Sequence, residues 1–494
     1  MPPRGVDGFS PSLYYRELIT IAKVQHCEEA AVLETAIART DITPRESVPL
    51  MGYGDRIHDS EGVHDPLFAY AWWLQADGEK PIVWIVFDLC LMSVASVRQL
   101  ARQICAHAGV DRDRIFLSTT HTHSGPDTVF IGTDDRPWAR RYHELLVDAG
   151  ARAVREARDR ALPGRIEVRT GRSALGVNRR NPQAPIDPRI VLLALIDEAG
   201  RERGMLFHYS CHLTVLGVDN YRISADWLGP VRERLEGQLG FPVMYLQGAE
   251  GNVDPVSRGA LDMADPEQAS GASFEVLGDL AEEMIGAIRG ARESRVQAVA
   301  EDLQVSIRTI EMPLRYGGLS PAQLRTKIGE WKERFADFLE SPAEEVPEDW
   351  SINARIKEQA RSKNLDEGQT RRRVSEQFTY TSFLGIYKAG ADSTDAERGE
   401  IPAPVTLLDF GVLRILGVPM EVLLEVAFDW QRRLGGSIAL ICGLFGGWIG
   451  YLPHPLNHQE PKAGELYETV STMFAPDAAL RLLDAGEGII PRRS

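Results

Sequence analysis

The chain has 494 residues, 44% of them hydrophobic, which is enough to bury one large core or two moderate ones. Its formal net charge of −16 at pH 7 argues against a nucleic-acid surface, because such surfaces need clustered positive charge. Its 5 cysteines are scattered and include no Cys-x-x-Cys pair, which excludes a zinc knuckle of that spacing.

The cysteines lie mostly in apolar segments and are odd in number, which predicts reduced, buried thiols. The first 24 residues lack the uninterrupted apolar stretch of a secretory signal. The uncharged stretch at residues 437–459 is apolar only over residues 438–452 and is interrupted by glycines, so its apolar part is too short to span a bilayer. The sequence therefore predicts a cytoplasmic protein without stable membrane insertion and without a nucleic-acid partner. It leaves a homo-oligomer open as the assembly state.

Strand and helix signals alternate up to about residue 300. This alternation predicts an α/β fold, with a mixed sheet core covered by helices. Residues 81–88 are the clearest strand, a nearly continuous apolar run. Other strands are predicted at residues 165–169, 190–196, 205–211 and 243–247, and amphipathic helices at 138–161 and 274–291.

A charged, helical segment interrupts this alternation at residues 319–404. Ser320-Pro321 supplies a capping hydroxyl and a proline at the first helical position, and strand character returns at Val405. We therefore predict an N-terminal arm (1–34), a catalytic core (35–318), a peripheral helical insertion (319–404) and a return to the core (405–494). The insertion is either a lid or a simple peripheral addition.

Two histidines one residue apart, His121 and His123, follow a predicted strand at residues 114–120, and Ser124-Gly125-Pro126 then stops it. Side chains at positions i and i+2 of an extended segment share one face, so both imidazoles can reach one cavity beyond the sheet. Neutral imidazole suits Zn²⁺. The alternative is a pair of polar strand-end histidines hydrogen-bonded to their neighbours.

Further ligands are expected at similar strand ends. His208 and His212 share one face of the strand at residues 205–211, and His212 is preferred because the strand should end there. Either one could instead be a satisfied core histidine. Glu421 follows an apolar run and Pro419, and is expected to open an apolar helix that ends at Gly435-Gly436; its simple interpretation is a carboxylate favoured by the helix dipole.

Three motifs occur together in the order found in one family: Thr-His-Thr-His-Ser-Gly-Pro at residues 120–126, Gln-Gly-Ala-Glu-Gly-Asn-Val-Asp-Pro at 247–255, and Pro-x-Glu at 419–421. With them, the chain resembles the neutral/alkaline, non-lysosomal ceramidases. The resemblance begins near residue 36, continues through Met-Gly-Tyr-Gly at 51–54 and reaches Tyr-Glu at 467–468. We expect the resemblance to cover most of the family's catalytic domain and the family's extra C-terminal β-sandwich domain to be absent, as in the shorter bacterial relatives.

The resemblance implies one zinc ion per chain, with His121, His212, Glu421 and Tyr451 as its ligands. Tyr451 lies in a segment where Trp448 replaces the family's first tyrosine. The resemblance further implies three catalytic residues: His123 beside the metal, Arg179 after an asparagine, and Tyr467.

The implied reaction is hydrolysis of an amide (N-acyl) bond by metal-activated water. The family's Gly-Asp-Val-Ser-Pro-Asn is Gly-Asn-Val-Asp-Pro-Val at residues 251–256, which puts Asn252 and Asp254 at positions expected to bind substrate. This change predicts a small-molecule acyl substrate that is smaller or more soluble than ceramide. Two other interpretations stay open, an ester or lactone hydrolase using the same zinc site and a non-catalytic ligand-binding relative.

Overall fold

The computed structural model describes residues 33–53, 56, 58–132, 134–258, 274–300, 303–315, 326, 399–461, 463 and 466–491. Most of the predicted arm (1–34) and insertion (319–404) lies outside them, so both remain predictions. Strand structure begins at Leu33, inside the predicted arm, and resumes at Glu400, five residues before the predicted position 405.

The strands, in chain order, are β1 (Leu33–Asp41), β2 (Gly62–Val63), β3 (Phe68–Ala76), β4 (Ile82–Phe87), β5 (Ile115–Thr119), β6 (Leu162–Arg172), β7 (Gly176–Asn178), β8 (Arg189–Asp197), β9 (Glu202–Tyr209), β10 (Arg222–Ile223), β11 (Val243–Gln247), β12 (Val253–Pro255), β13 (Ala298–Ala300), β14 (Gln304–Pro313), β15 (Glu400–Asp409), β16 (Leu413–Gly417), β17 (Glu421–Val422), β18 (Ile438–Cys442) and β19 (Tyr451–Leu452). The α-helices are α1 (Val94–Ala108), α2 (Pro137–Arg160), α3 (Leu228–Leu239), α4 (Phe274–Glu293), α5 (Leu424–Arg433), α6 (Tyr467–Ser471) and α7 (Ala478–Gly488).

A nine-stranded sheet forms the larger half of the core. Its order is β11-β9-β8-β6-β1-β3-β4-β5, and β13 pairs with β6. The pairs β4/β5 and β11/β9 are parallel, whereas the other neighbours are antiparallel, so the predicted mixed sheet is confirmed. The predicted strand at residues 243–247 coincides with β11, and the helix predicted at 138–161 differs from α2 by one residue at each end.

The nearly continuous apolar run of β4 is explained by burial of both of its faces. Val83, Ile85 and Phe87 pack against α1 and α2, while Ile82, Trp84 and Val86 face the opposite side. Strands that are buried on both faces read as continuous hydrophobic runs instead of alternating.

A second sheet, of order β14-β15-β16-β18, covers that opposite side. Trp72 of β3 stacks on Phe410, and Trp84 of β4 meets Phe445, so aromatic side chains fill the space between the two sheets. Helices α5 and α7 pack on the outer face of the second sheet. The layers therefore run helix, sheet, sheet, helix. Among the described residues, no helix is long and apolar enough to cross a membrane.

Candidate metal centre

His121 lies two residues beyond the end of β5, and its backbone is in the left-handed region, with φ of 70°. The predicted extended geometry is therefore wrong at this residue, and the chain turns sharply there. The side chain is 1% exposed, and its Nδ1 lies 3.0 Å from the carbonyl oxygen of Cys90, just past β4. Because a carbonyl oxygen only accepts hydrogen bonds, Nδ1 carries a proton, and in the neutral ring Nε2 then has the lone pair that can bind a metal.

His212 follows the end of β9 by three residues and is fully buried. Its Nδ1 lies 2.9 Å from the carbonyl oxygen of Glu250 and 3.1 Å from that of Val253. Its Nε2 is buried and finds no hydrogen-bond partner within the described part of the chain. His208, the other candidate on this strand, donates to the carbonyl of Ile441 at 2.9 Å and is a satisfied core histidine.

Glu421 lies in the two-residue strand β17, not in a helix as predicted, and α5 begins only at Leu424. β17 pairs in parallel with β19, so that Glu421 is directly opposite Tyr451. The Oε2 atom of Glu421 lies 3.3 Å from His121 Nε2 and 3.5 Å from His212 Nε2. The helix-dipole interpretation of this carboxylate is therefore wrong, and a long-range strand pairing sets its position.

The ligand atoms of His121, His212 and Glu421 all lie within 4.8 Å of one another, in a buried cluster. Glu421 Oε2, like His212 Nε2, has no hydrogen-bond partner among the described residues. Burial opposes the charge of Glu421, but the two histidines outweigh it and hold the pKa of its carboxyl well below its usual range. Burial lowers the pKa of His212. Burial also opposes the charge of His121, but Cys90 and Glu421 outweigh it and raise the pKa of that imidazole, so the metal-free site favours a proton there. A metal ion such as Zn²⁺ would replace this proton, and an ionised carboxylate with two buried imidazoles is a donor set that fits it.

Tyr451 and Tyr467 lie next to this cluster. Their rings are 5.4 Å apart at 78°, and the Tyr451 hydroxyl lies 3.5 Å from an Nη atom of Arg179. Burial and the charge of Glu421 raise the pKa of Tyr451 well above its usual range. The predicted fourth ligand is thus beside Glu421, and its role as a ligand stays a prediction.

His123 also reaches the cluster, with its Nε2 at 3.3 Å from His121 Nε2. Cys90, His121 and His123 form a second group whose ligand atoms lie within 4.8 Å of one another. Cys90 Sγ lies 3.7 Å from His121 Nδ1, which already contacts the Cys90 carbonyl, whereas His123 lies beside Nε2 of the same ring. One ion would therefore have to meet two different edges of the His121 imidazole in this group. The group of His121, His212 and Glu421 is therefore the better metal site.

Arg179 is held between two carboxylates. Its Nε donates to Glu468 at 2.6 Å, one Nη lies 3.4 Å from Asp254, and the other donates to the carbonyl of Gly251 at 2.8 Å. Asp254 is fully buried and its Oδ1 also lies 3.6 Å from His212 Nδ1. Most of the Arg179 donors are therefore already in use, which disfavours an anionic substrate group here.

Asn252, predicted to bind substrate, is fully buried and contacts the start of α5. Its Oδ1 accepts the backbone N–H of Leu424 at 2.9 Å, and its Nδ2 faces the carboxylate of Glu425 at 3.1 Å. Both the oxygen and the nitrogen of the Asn252 side-chain amide therefore contact the first turn of α5. Because α5 begins two residues after β17, these contacts connect the motif at residues 247–255 to the strand that carries Glu421.

Part of the chain matches one known protein family. Residues 35–242 match the family model described as neutral/alkaline non-lysosomal ceramidase, N-terminal. These residues belong to the neutral/alkaline non-lysosomal ceramidase family. The matched region includes His121, His123, Arg179 and His212, whereas Glu421 and Tyr451 lie beyond it. The family predicted from the motifs is thus confirmed.

Curated relatives match over part of their length. The neutral ceramidase of Pseudomonas aeruginosa is 26% identical over 244 residues, which is 44% of this chain and 36% of that protein. A neutral ceramidase of Oryza sativa subsp. japonica is 25% identical over 275 residues, 50% of this chain and 34% of the relative. The matches therefore span about a third of these relatives.

The fold as a whole is similar to a solved ceramidase structure. The crystal structure of neutral ceramidase from Pseudomonas aeruginosa superposes with a TM-score of 0.65 at 18% identity, covering 93% of this chain and 74% of that one. This likeness extends past residue 242 and supports the predicted α/β fold class.

Three residues near the site were not predicted as functional: Glu250, Trp448 and Glu468. Glu250 is fully buried, and neither of its carboxylate oxygens has a hydrogen-bond partner among the described residues. The sequence feature that could have indicated Glu250 is a single charged residue within a run of small residues at 248–251. Trp448 and Glu468 lie in segments that the resemblance singles out. Their partners, Glu421 and Arg179, are distant in sequence, so no local pattern showed what they contact.

Gly52 packs directly against the side chain of His123 and leaves no room for a side chain of its own. Its φ is 104°, and a Cβ there would lie 2.4 Å from His123 Cγ. We expect Gly52→Ala to displace His123, lower turnover by about 10²-fold or more and leave bound metal near the wild-type amount. Metal content and kcat measured together test this.

Gly78→Ala is the matched control, because Gly78 also has positive φ, 70°, but a Cβ there would meet nothing within 4 Å. Equal losses of activity in the two variants would show that backbone strain, not collision with His123, causes the effect.

Proposed function

We propose that this chain is a zinc-dependent hydrolase that cleaves an amide (N-acyl) bond. The observation that carries the proposal is the convergence of His121, His212 and Glu421 in one buried cluster. Backbone carbonyls contact the Nδ1 atoms of both histidines. The atoms that face the centre of the cluster, His212 Nε2 and Glu421 Oε2, have no hydrogen-bond partner within the described part of the chain. The amide as the bond cleaved rests on the ceramidase family.

Bound zinc at such a site supplies a Lewis acid and lowers the pKa of water to near neutrality. His123 lies beside the ligand cluster and can move a proton to the departing amine. Arg179 and Tyr467, which both lie close to the Tyr451 ring, can orient the acyl group. This division of roles needs no serine nucleophile.

We further propose that the substrate is electrically neutral around Arg179 and smaller or more soluble than ceramide. Asp254 occupies the position at which the resembled family has serine, and it lies within 3.4 Å of Arg179. A buried carboxylate there repels an anionic substrate group and, together with Glu468, neutralises the guanidinium.

The test is metal analysis of the purified protein together with hydrolysis of matched short N-acyl amides and esters. We expect near one zinc per chain and higher kcat/KM for amides. His123→Gln should retain zinc and lower kcat by about 10²–10⁴-fold. Zinc without turnover of any amide or ester would favour a binding protein, and preferred ester cleavage would favour the esterase alternative. Failure to bind zinc after reconstitution would refute the proposal.

A further inference from the structure

The two oxygens of Glu421 have different surroundings. Oε2 faces His121 Nε2 and His212 Nε2, while Oε1 accepts the indole N–H of Trp448 at 2.8 Å. A hydrogen bond to an ionised carboxylate is stronger than one between neutral groups. This contact therefore restrains rotation of the carboxylate and decides which oxygen is directed at the histidines.

Trp448 is held in place by the backbone around it. Gly447, with φ of 126°, packs so tightly against α1 that a Cβ there would lie 2.7 Å from the Cα of Val94. Trp448 itself forms a parallel β-bridge with Ser93, the N-cap residue of α1. The loop between β18 and β19 thus fixes the indole relative to β17.

Tryptophan restricts what this position can do. The family that the chain resembles has a tyrosine here, and a phenolic hydroxyl can donate or accept a proton. The indole N–H only donates. Trp448 therefore cannot bind a metal or serve as a base, and its polar atom is committed to the carboxylate of Glu421.

We propose that Trp448 is a positioning residue, which holds Oε1 of Glu421 so that Oε2 stays directed at the metal site. The inference rests on the proposed function, because it assigns Glu421 as a ligand. Partners that orient metal ligands commonly change metal affinity by about 10–100-fold when they are removed.

A purely structural role is the competing account. Trp448 is half-buried and packs with Met51 and Val129 against the small apolar cluster of Cys90, Leu91 and Leu444. Loss of that packing would lower stability without acting through Glu421. The experiment must therefore separate the N–H group from the ring.

The first measurement is zinc affinity, by competition with a chromophoric chelator, for wild type and Trp448→Phe. We expect about 10–100-fold weaker binding in the variant. Trp138→Phe is the control, since Trp138 is also half-buried against the apolar core but lies on α2, away from the site. Equal affinities of Trp448→Phe and Trp138→Phe would overturn the inference.

The second measurement is a double-mutant cycle with Glu421→Ala. If Trp448 acts through Glu421, Trp448→Phe should weaken zinc binding by less than about 3-fold in the Glu421→Ala background. The same loss in both backgrounds would show a structural role and refute the positioning role.

If Trp448→Phe does not fold, replacement of Trp448 by β-(3-benzothienyl)alanine keeps the bicyclic shape and removes only the N–H. It should show the same loss of zinc affinity, and wild-type affinity there would overturn the inference. Absence of zinc binding by the wild type would instead refute the proposed function, so the two failures are distinguishable.

Discussion

His212→Ala is expected to weaken zinc binding by more than about 100-fold and to abolish turnover. That loss exceeds the 10–100-fold typical of groups that only support a ligand. The reason is geometric: His212 Nε2 and Glu421 Oε2, 3.5 Å apart, have no hydrogen-bond partner among the described residues, so removing the imidazole takes one donor from a site of few donors. Elemental analysis and calorimetric titration with zinc measure the effect.

His208→Ala provides the matched comparison. His208 lies on β9, four residues before His212, and is buried, but its Nε2 donates to the carbonyl of Ile441. We expect this variant to lose stability by about 1–3 kcal/mol, for the unsatisfied carbonyl and the cavity, while still binding one zinc per chain. Loss of zinc in both variants, with both folded, would contradict the assignment of His212 as the ligand.

Glu250→Gln is expected to change how stability depends on pH. Burial raises the pKa of the Glu250 carboxyl from 4.5 to about 8 in the folded protein. Between those two pH values the unfolded chain has lost this proton and the folded protein retains it. The free energy of unfolding of the metal-free wild type therefore falls as pH rises from about 4.5 to about 8.

Glutamine does not titrate, so this part of the pH dependence should disappear in the variant. Relative to wild type, Glu250→Gln should gain stability as pH rises, by up to about 4 kcal/mol at pH 8. Urea unfolding of both proteins after chelator treatment, at several pH values from 5 to 8, measures the difference. A difference that stays constant over that range would mean that Glu250 is not protonated in the folded state.

Local patterns in the sequence predicted elements that are buried on one or both faces. β4 appears as an uninterrupted apolar run, β11 as a short apolar run that ends at Gln247, and α2 through its apolar periodicity. These signals are strong because hydrophobic burial imposes the period of each element on consecutive residues. The placement of His121 and His212 just beyond strand ends followed from the same patterns, although the strand β5 does not continue through His121.

Local patterns misled where a distant segment decides the conformation. Glu421 was expected in a helix, but its pairing with Tyr451, thirty positions further along the chain, makes it part of a strand. β17 has only two residues, too few to show a period. Likewise, nothing near residue 448 in the sequence indicates that its indole reaches Glu421.

The sequence by itself determined the fold class, the family and most of the polar residues that meet at the site, because burial periodicity and specific motifs are local properties. Only the tertiary structure decided that Glu421 lies in a strand and which of its oxygens faces the histidines. It also decided that Arg179 lies between Asp254 and Glu468. Those outcomes depend on contacts between segments tens to hundreds of residues apart, and no local pattern encodes which segments will meet.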